Sequence, residues 1–112
     1  MTEKKAIRYI SLAAKAGKLI TGAEDCEDAV RRRHKNGVLL LASDAGGDAS
    51  RRGTRLAENH HLHLMRIDYT KTELASAVGR RSPVALALVT DEGLAAAFAA
   101  AAANRTEQEE RI

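Results

Sequence analysis

The sequence has no Trp, one Pro, one Cys and only 3% aromatic residues in 112. Each shortage removes a class of explanation. Cys26 alone cannot close an internal disulfide, so a disulfide-stapled secreted scaffold is excluded and a reducing, cytoplasmic setting is expected. With Tyr9, Tyr69 and Phe98 as the only aromatics, stacking on single-stranded bases is not the expected mode of any nucleic-acid contact. The core must be built from Ala, Leu, Val and Ile, which demands close approach of helix to sheet. No apolar run resembles a signal peptide or approaches the ~20 residues needed to span a bilayer. The Ala-rich stretch 94–103 is bounded by Asp91, Glu92 and Arg105 and reads as a helix buried on one side. Gly37, Gly46 and Gly47 assemble neither a Walker nor a dinucleotide fingerprint, so a nucleotide-dependent enzyme is not indicated.

What is present alternates regularly. Residues 4–15 carry Ile7, Ile10, Leu12, Ala13 and Ala14 near helical spacing, and Gly17 follows as a stop. Leu19-Ile20 suggests a brief strand before Thr21-Gly22. From 23 to 35, acids (Glu24, Asp25, Glu27, Asp28) precede bases (Arg31, Arg32, Arg33, Lys35), a gradient that suits a helix dipole at both ends. Residues 38–42 form a continuous apolar run expected of a strand covered on both faces. The polar loop 43–48, with potential N-caps, leads to a helix from 49 to about 59, followed by a strand over 62–67. Thr70 and Glu73 have capping-box spacing for a helix that Gly79 closes, and Pro83 marks entry to a last strand, 84–89. This alternation predicts an α/β, three-layer αβα sandwich with a mixed four-stranded sheet. One domain over 1–103 is expected, with a charged, disordered tail over 104–112.

The formal net charge is +3, and the excess is local: residues 1–66 hold thirteen basic and eight acidic side chains, residues 67–112 five and seven. The N-terminal two-thirds is therefore the expected anion-facing part. Lys15 and Lys18 flank a helix end just before Gly22, where the opening turn of the next helix presents unpaired amides. Hydrated loop lysines would read the same way. Arg51, Arg52 and Arg55 are spaced to share a helix face as auxiliary phosphate contacts. The run Arg31-Arg32-Arg33 with Lys35 reads as a solvated helix end.

His60, His61 and His63 have no Cys nearby and no acid at ligand spacing, so surface histidines, not a metal site, are expected. Cys26 lies inside a helix with no announced base, and Asp44, Asp48, Asp91 and Glu92 are explained by capping. No catalytic residue and no cofactor are expected.

AAKAGKLITG followed by an acidic helix start, then VLLLASDAGGD, ELASAVGR and VALALVTDEG, in that order over about residues 4–103, resembles the kink-turn RNA-binding ribosomal-protein family, in particular its small bacterial YlxQ-like members. The resemblance implies an αβα sandwich that binds RNA internal loops without cofactor or catalysis. In such proteins a glycine, then Asn-Glu and, three positions later, Lys open the second helix and read tandem sheared G·A pairs. Gly22 matches. Glu24 and Asp25 stand at the Asn-Glu positions, Asp28 stands at the Lys position, and Thr21 stands where a lysine often precedes the glycine. Asp25 keeps an acceptor carboxylate, whereas Asp28 exchanges a donor for a group that repels phosphate. The family's second RNA-facing loop corresponds to 79–84, where Arg80 and Arg81, with Ser82 and Val84, offset what Thr21 and Asp28 remove. The expected partner is a structured RNA, ribosomal or regulatory, with a kink-turn-like loop, bound by a monomer that touches the ribosome and no membrane. The alternative from another class is a protein-interaction module on the same fold that has lost RNA recognition, marked by an acidic surface around Gly22. A small-molecule or hydrolytic domain would need a pocket at the Asp44 or Asp91 turns, for which the sequence gives no positive sign.

Overall fold

The computed structural model describes residues 2–32, 37–91, 93–97 and 100, with side chains described from residue 7 onward. The expected tail, 104–112, lies outside the described residues. The elements run α1 (Thr2–Lys15), β1 (Leu19–Thr21), α2 (Ala23–Arg32), β2 (Val38–Leu41), α3 (Gly47–His60), β3 (His63–Arg66), α4 (Lys71–Ala77) and β4 (Leu86–Val89), and residues 93–97 are helical again. No described helix is long and apolar enough to cross a membrane.

The strands form one mixed sheet in the order β1-β4-β2-β3. β2 and β3 are parallel, while β4 runs antiparallel to both β1 and β2. β2 and β4 are buried along their whole length, as their unbroken apolar runs require for strands covered on both faces. Their side chains alternate between two cores. Leu39, Leu41, Leu86 and Leu88 meet Cys26 and Val30 of α2 and Leu56 and Ala57 of α3. Val38, Leu40, Ala87 and Val89 meet Ile10 and Ala13 of α1, Leu74 and Ala75 of α4, and Ala95. Helices thus cover both faces of the sheet, the expected three-layer sandwich.

Backbone geometry explains where the chain turns. Gly17 (φ 72°) and Gly79 (φ 73°) take left-handed conformations after α1 and α4. At the first, Lys18 N–H bonds Ala13 O at 2.8 Å and Gly17 N–H bonds Ala14 O at 3.2 Å, the paired bonds of a Schellman ending. The second repeats it, with Arg80 N–H on Ala75 O at 2.8 Å and Gly79 N–H on Ser76 O at 3.3 Å. Gly37 is needed for a different reason: a Cβ there would collide with the Val89 carbonyl oxygen.

Several local expectations shift. α3 opens at Gly47, and its N-cap is Gly46, with no side-chain cap bond; the loop acid Asp44 instead accepts from Lys71 N–H at 2.8 Å and so serves α4. Asp91 caps the last helix as expected, accepting from Leu94 N–H at 2.9 Å. β4 begins at Leu86 rather than residue 84, because Val84 N–H is taken by Lys71 O at 3.1 Å, outside the sheet ladder. α2 is described to Arg32, so residues 33–35 of the expected helix lie outside the described residues.

Candidate nucleic-acid interface

The register places the C-terminal ends of β1, β2 and β3 beside the start of β4: Thr21 pairs Ala87, while Leu41 pairs both Leu86 and Arg66. Helices α2, α3 and α4 all open at this end; α4 is capped by Thr70 and Asp44, whereas α3 has no side-chain cap bond. Gly22 closes β1 and starts α2, donating to Leu86 O at 2.9 Å and accepting from Cys26 N–H at 3.0 Å. Its φ of 96° is strained for any L side chain, and no atom lies within 4 Å of where a Cβ would stand. Glycine here meets a conformational demand and leaves the turn open to close approach.

A groove of about 450 Å³ lies against that turn, walled by Thr21 to Asp25, by Ala49 and Arg52 of α3, and by the loop from Arg80 through Ser82 to Leu86. The Arg80 guanidinium donates to the Thr21 hydroxyl oxygen, which ties the loop to the end of β1. Arg80, Arg81 and Ser82 are exposed, whereas Val84 is 5% exposed and belongs to the core beneath the groove. The acids Glu24 and Asp25 line the same groove as Arg80 and Arg52. Arg52 is already engaged, 2.6 Å from Glu27 and 3.7 Å from Asp48. The Glu27 hydrogen bond and charge hold its pKa above the ordinary arginine value. Arg80 and the neighbouring Arg81 are therefore the cations most available to an incoming anion.

Of the residues the sequence nominated, Thr21, Gly22, Glu24, Asp25, Arg80, Ser82 and Val84 meet at this groove, with Arg81 beside it. Lys15 and Lys18 do not. Lys18 O accepts from Thr90 N–H at 2.9 Å, so both lysines sit at the other end of the sheet. β1 carries the chain across, and the four residue steps from 18 to 22 span ~13 Å at 3.3 Å per residue. Asp28 is also elsewhere: its exposed carboxylate pairs with Arg31 at 3.5 Å and Arg32 at 3.8 Å on α2's own surface. Arg52, placed at sequence level only among auxiliary contacts, is part of the groove wall, and its half-buried pairing across to α2 separates it from the exposed Arg51 and Arg55.

Cys26 is fully buried, and burial, followed by the nearby charges of Asp25 and Glu27, pushes its thiol up to about 12. His61 is not in a strand with His63 but takes a left-handed conformation (φ 54°) capping α3. Among the described residues, no group of three or more His, Cys, Asp or Glu could hold a metal ion.

No curated protein sequence gives a significant match. Among solved structures, a Bacillus halodurans protein of unknown function is 26% identical with a TM-score of 0.77, covering 87% of this chain and 95% of its own. A Giardia lamblia 15.5kD RNA binding protein superposes with a TM-score of 0.70 at 17% identity, covering 92% of this chain and 86% of its own. The profile of the Ribosomal protein L7Ae/L30e/S12e/Gadd45 family matches residues 4–99. The chain belongs to the Ribosomal protein L7Ae/L30e/S12e/Gadd45 family.

Proposed function

We propose that this protein is a non-catalytic RNA-binding protein of the translation apparatus, acting in the cytoplasm as a monomer and engaging a structured RNA with a kink-turn-like internal loop at the Gly22 end of its sheet. Family membership and the fold shared with an RNA-binding neighbour support the class of ligand. The observation that carries the site is the bond between Arg80 and Thr21. It draws a cationic loop against the open, amide-rich turn before α2, so that one RNA backbone meets both. Arg80, Arg81 and the first amides of α2 hold phosphates. The Asp25 carboxylate accepts from a guanine edge, as an ionised acid must.

The test is a titration with an internal-loop RNA across salt concentrations, against a plain duplex. Affinity for the loop RNA falls linearly on a log-log plot as salt rises. Arg80→Glu weakens it about tenfold or more and lowers the salt slope by about one. Arg81→Glu, which leaves the Thr21 bond intact, acts in the same direction. Absence of binding at low salt removes the reading. The exposed carboxylates of Glu24 and Asp25 on the same wall favour one rival, a protein-interaction module. In that case RNA does not bind and a cationic protein segment does.

A further inference from the structure

α2 and α3 lie side by side on one face of the sheet, and their outer surface is not used by the groove. Between them is a depression of about 220 Å³ whose lining includes Arg31, Arg52, Arg55 and His60. A second, of about 350 Å³, lies on the outer side of α3 and is lined by Ser50, Arg51, Thr54, Arg55 and Glu58. Arg55 belongs to both depressions, and Arg52 belongs to the first and to the Gly22 groove. The three concavities therefore adjoin one another through these two arginines.

Charge along this track is unbalanced. Four arginines line the two depressions against the carboxylates of Glu27 and Glu58, and Glu27 is occupied by Arg52 at 2.6 Å. Arg31 makes an exposed pairing with Asp28 at 3.5 Å, worth little in water, and donates from Nε to the Glu27 carbonyl oxygen at 3.4 Å. Arg51 and Arg55, one helical turn apart, are exposed and have no ion pair or hydrogen bond among the described residues. The hydroxyls of Ser50 and Thr54 add uncharged donors beside them. Tyr9 and Tyr69 pack on the other side of the sheet, so the described part of this face offers charge and hydroxyls with His60 as its one aromatic ring. That combination suits a phosphate backbone rather than exposed bases.

We infer that the α2–α3 face carries the double-helical stem adjoining the RNA loop held at the Gly22 groove, with Arg51 and Arg55 as its phosphate contacts. This rests on the RNA-binding reading and extends its footprint from the sheet end along the helical layer.

The experiment compares Arg51→Glu/Arg55→Glu and Arg80→Glu with the unaltered protein on two RNAs, one with a long stem and one with the stem cut back to the loop. Both arginines of the pair are exposed, so the thermal midpoint of the double variant stays unchanged. On the long-stem RNA the double variant binds about tenfold or more weakly, with a salt slope lower by up to about two; on the short-stem RNA it binds as the unaltered protein does. Arg80→Glu is weakened on both. If the double variant binds the long stem normally while Arg80→Glu does not, the stem assignment is overturned and the groove reading stands. Equal weakening on both RNAs also overturns it. If the unaltered protein binds neither RNA, the groove reading fails and this inference falls with it.

Discussion

Gly22 and Cys26 share a hydrogen bond, from the Cys26 N–H to the Gly22 carbonyl at 3.0 Å, yet one faces solvent and the other is sealed under α2. The exposed, left-handed Gly22 lets another backbone come close. Cys26 is packed against Leu39 and Leu88, its sulfur 3.5 Å from the Ile20 carbonyl oxygen. Burial favours its neutral thiol, with a pKa pushed from the ordinary 9.0 up to about 12. Native protein at pH 8 is therefore alkylated far more slowly than denatured protein, which a timed iodoacetamide reaction followed by mass measures. The sign for stability follows from the same shift. The unfolded chain releases the thiol proton from about pH 9 and the folded one only near 12, so stability holds below pH 9 and declines through that window. Equal labelling rates in the native and denatured states would show that the thiol is accessible.

At the scale of elements, α4 links the capping chemistry to the site. Thr70 accepts from Glu73 N–H at 3.1 Å, and Glu73 accepts from Thr70 N–H at 2.8 Å, a complete capping box. At the far end Gly79 turns the chain so that Arg80 reaches Thr21. Thr70→Ala lowers unfolding free energy by about 1 kcal/mol, read from a denaturant melt; an unchanged midpoint would mean the box adds nothing. This box was legible in the sequence because Thr and Glu at that spacing have one local use. The cap of α3 was not, since Asp44 satisfies a helix 27 residues further on, a partnership that only the folded chain creates. The same limit explains the lysines. Lys15 and Lys18 precede Gly22 closely in the chain, but an intervening strand of three residues, β1, carries them to the opposite end of the sheet. Arg52 reached the groove wall through Glu27, 25 residues away, a pairing that helix periodicity cannot reveal.

For the molecule as a whole, a modest net charge of +3 says little until the fold distributes it. Among the described residues, Lys15 and Lys18 stand at one end of the sheet, and Arg31, Arg32, Arg51, Arg52 and Arg55 lie in the helical layer beside the groove. The sandwich itself was legible, because strands and helices alternate along the chain and the unbroken apolar run at 38–42 reads as a strand covered on both faces, as β2 is. Which end of that sheet gathers the Gly22 turn and the Arg80 loop follows from register, not from composition. Backbone amide shifts of the 12.1 kDa chain, followed by NMR while an internal-loop RNA is added, test directly whether RNA meets that end. The expected result is that the amides of residues 21–25, 80–82, 84 and 85 move first and furthest; movement centred on Lys15, Lys18, Gly37 and Thr90, with the Gly22 turn unchanged, would contradict it.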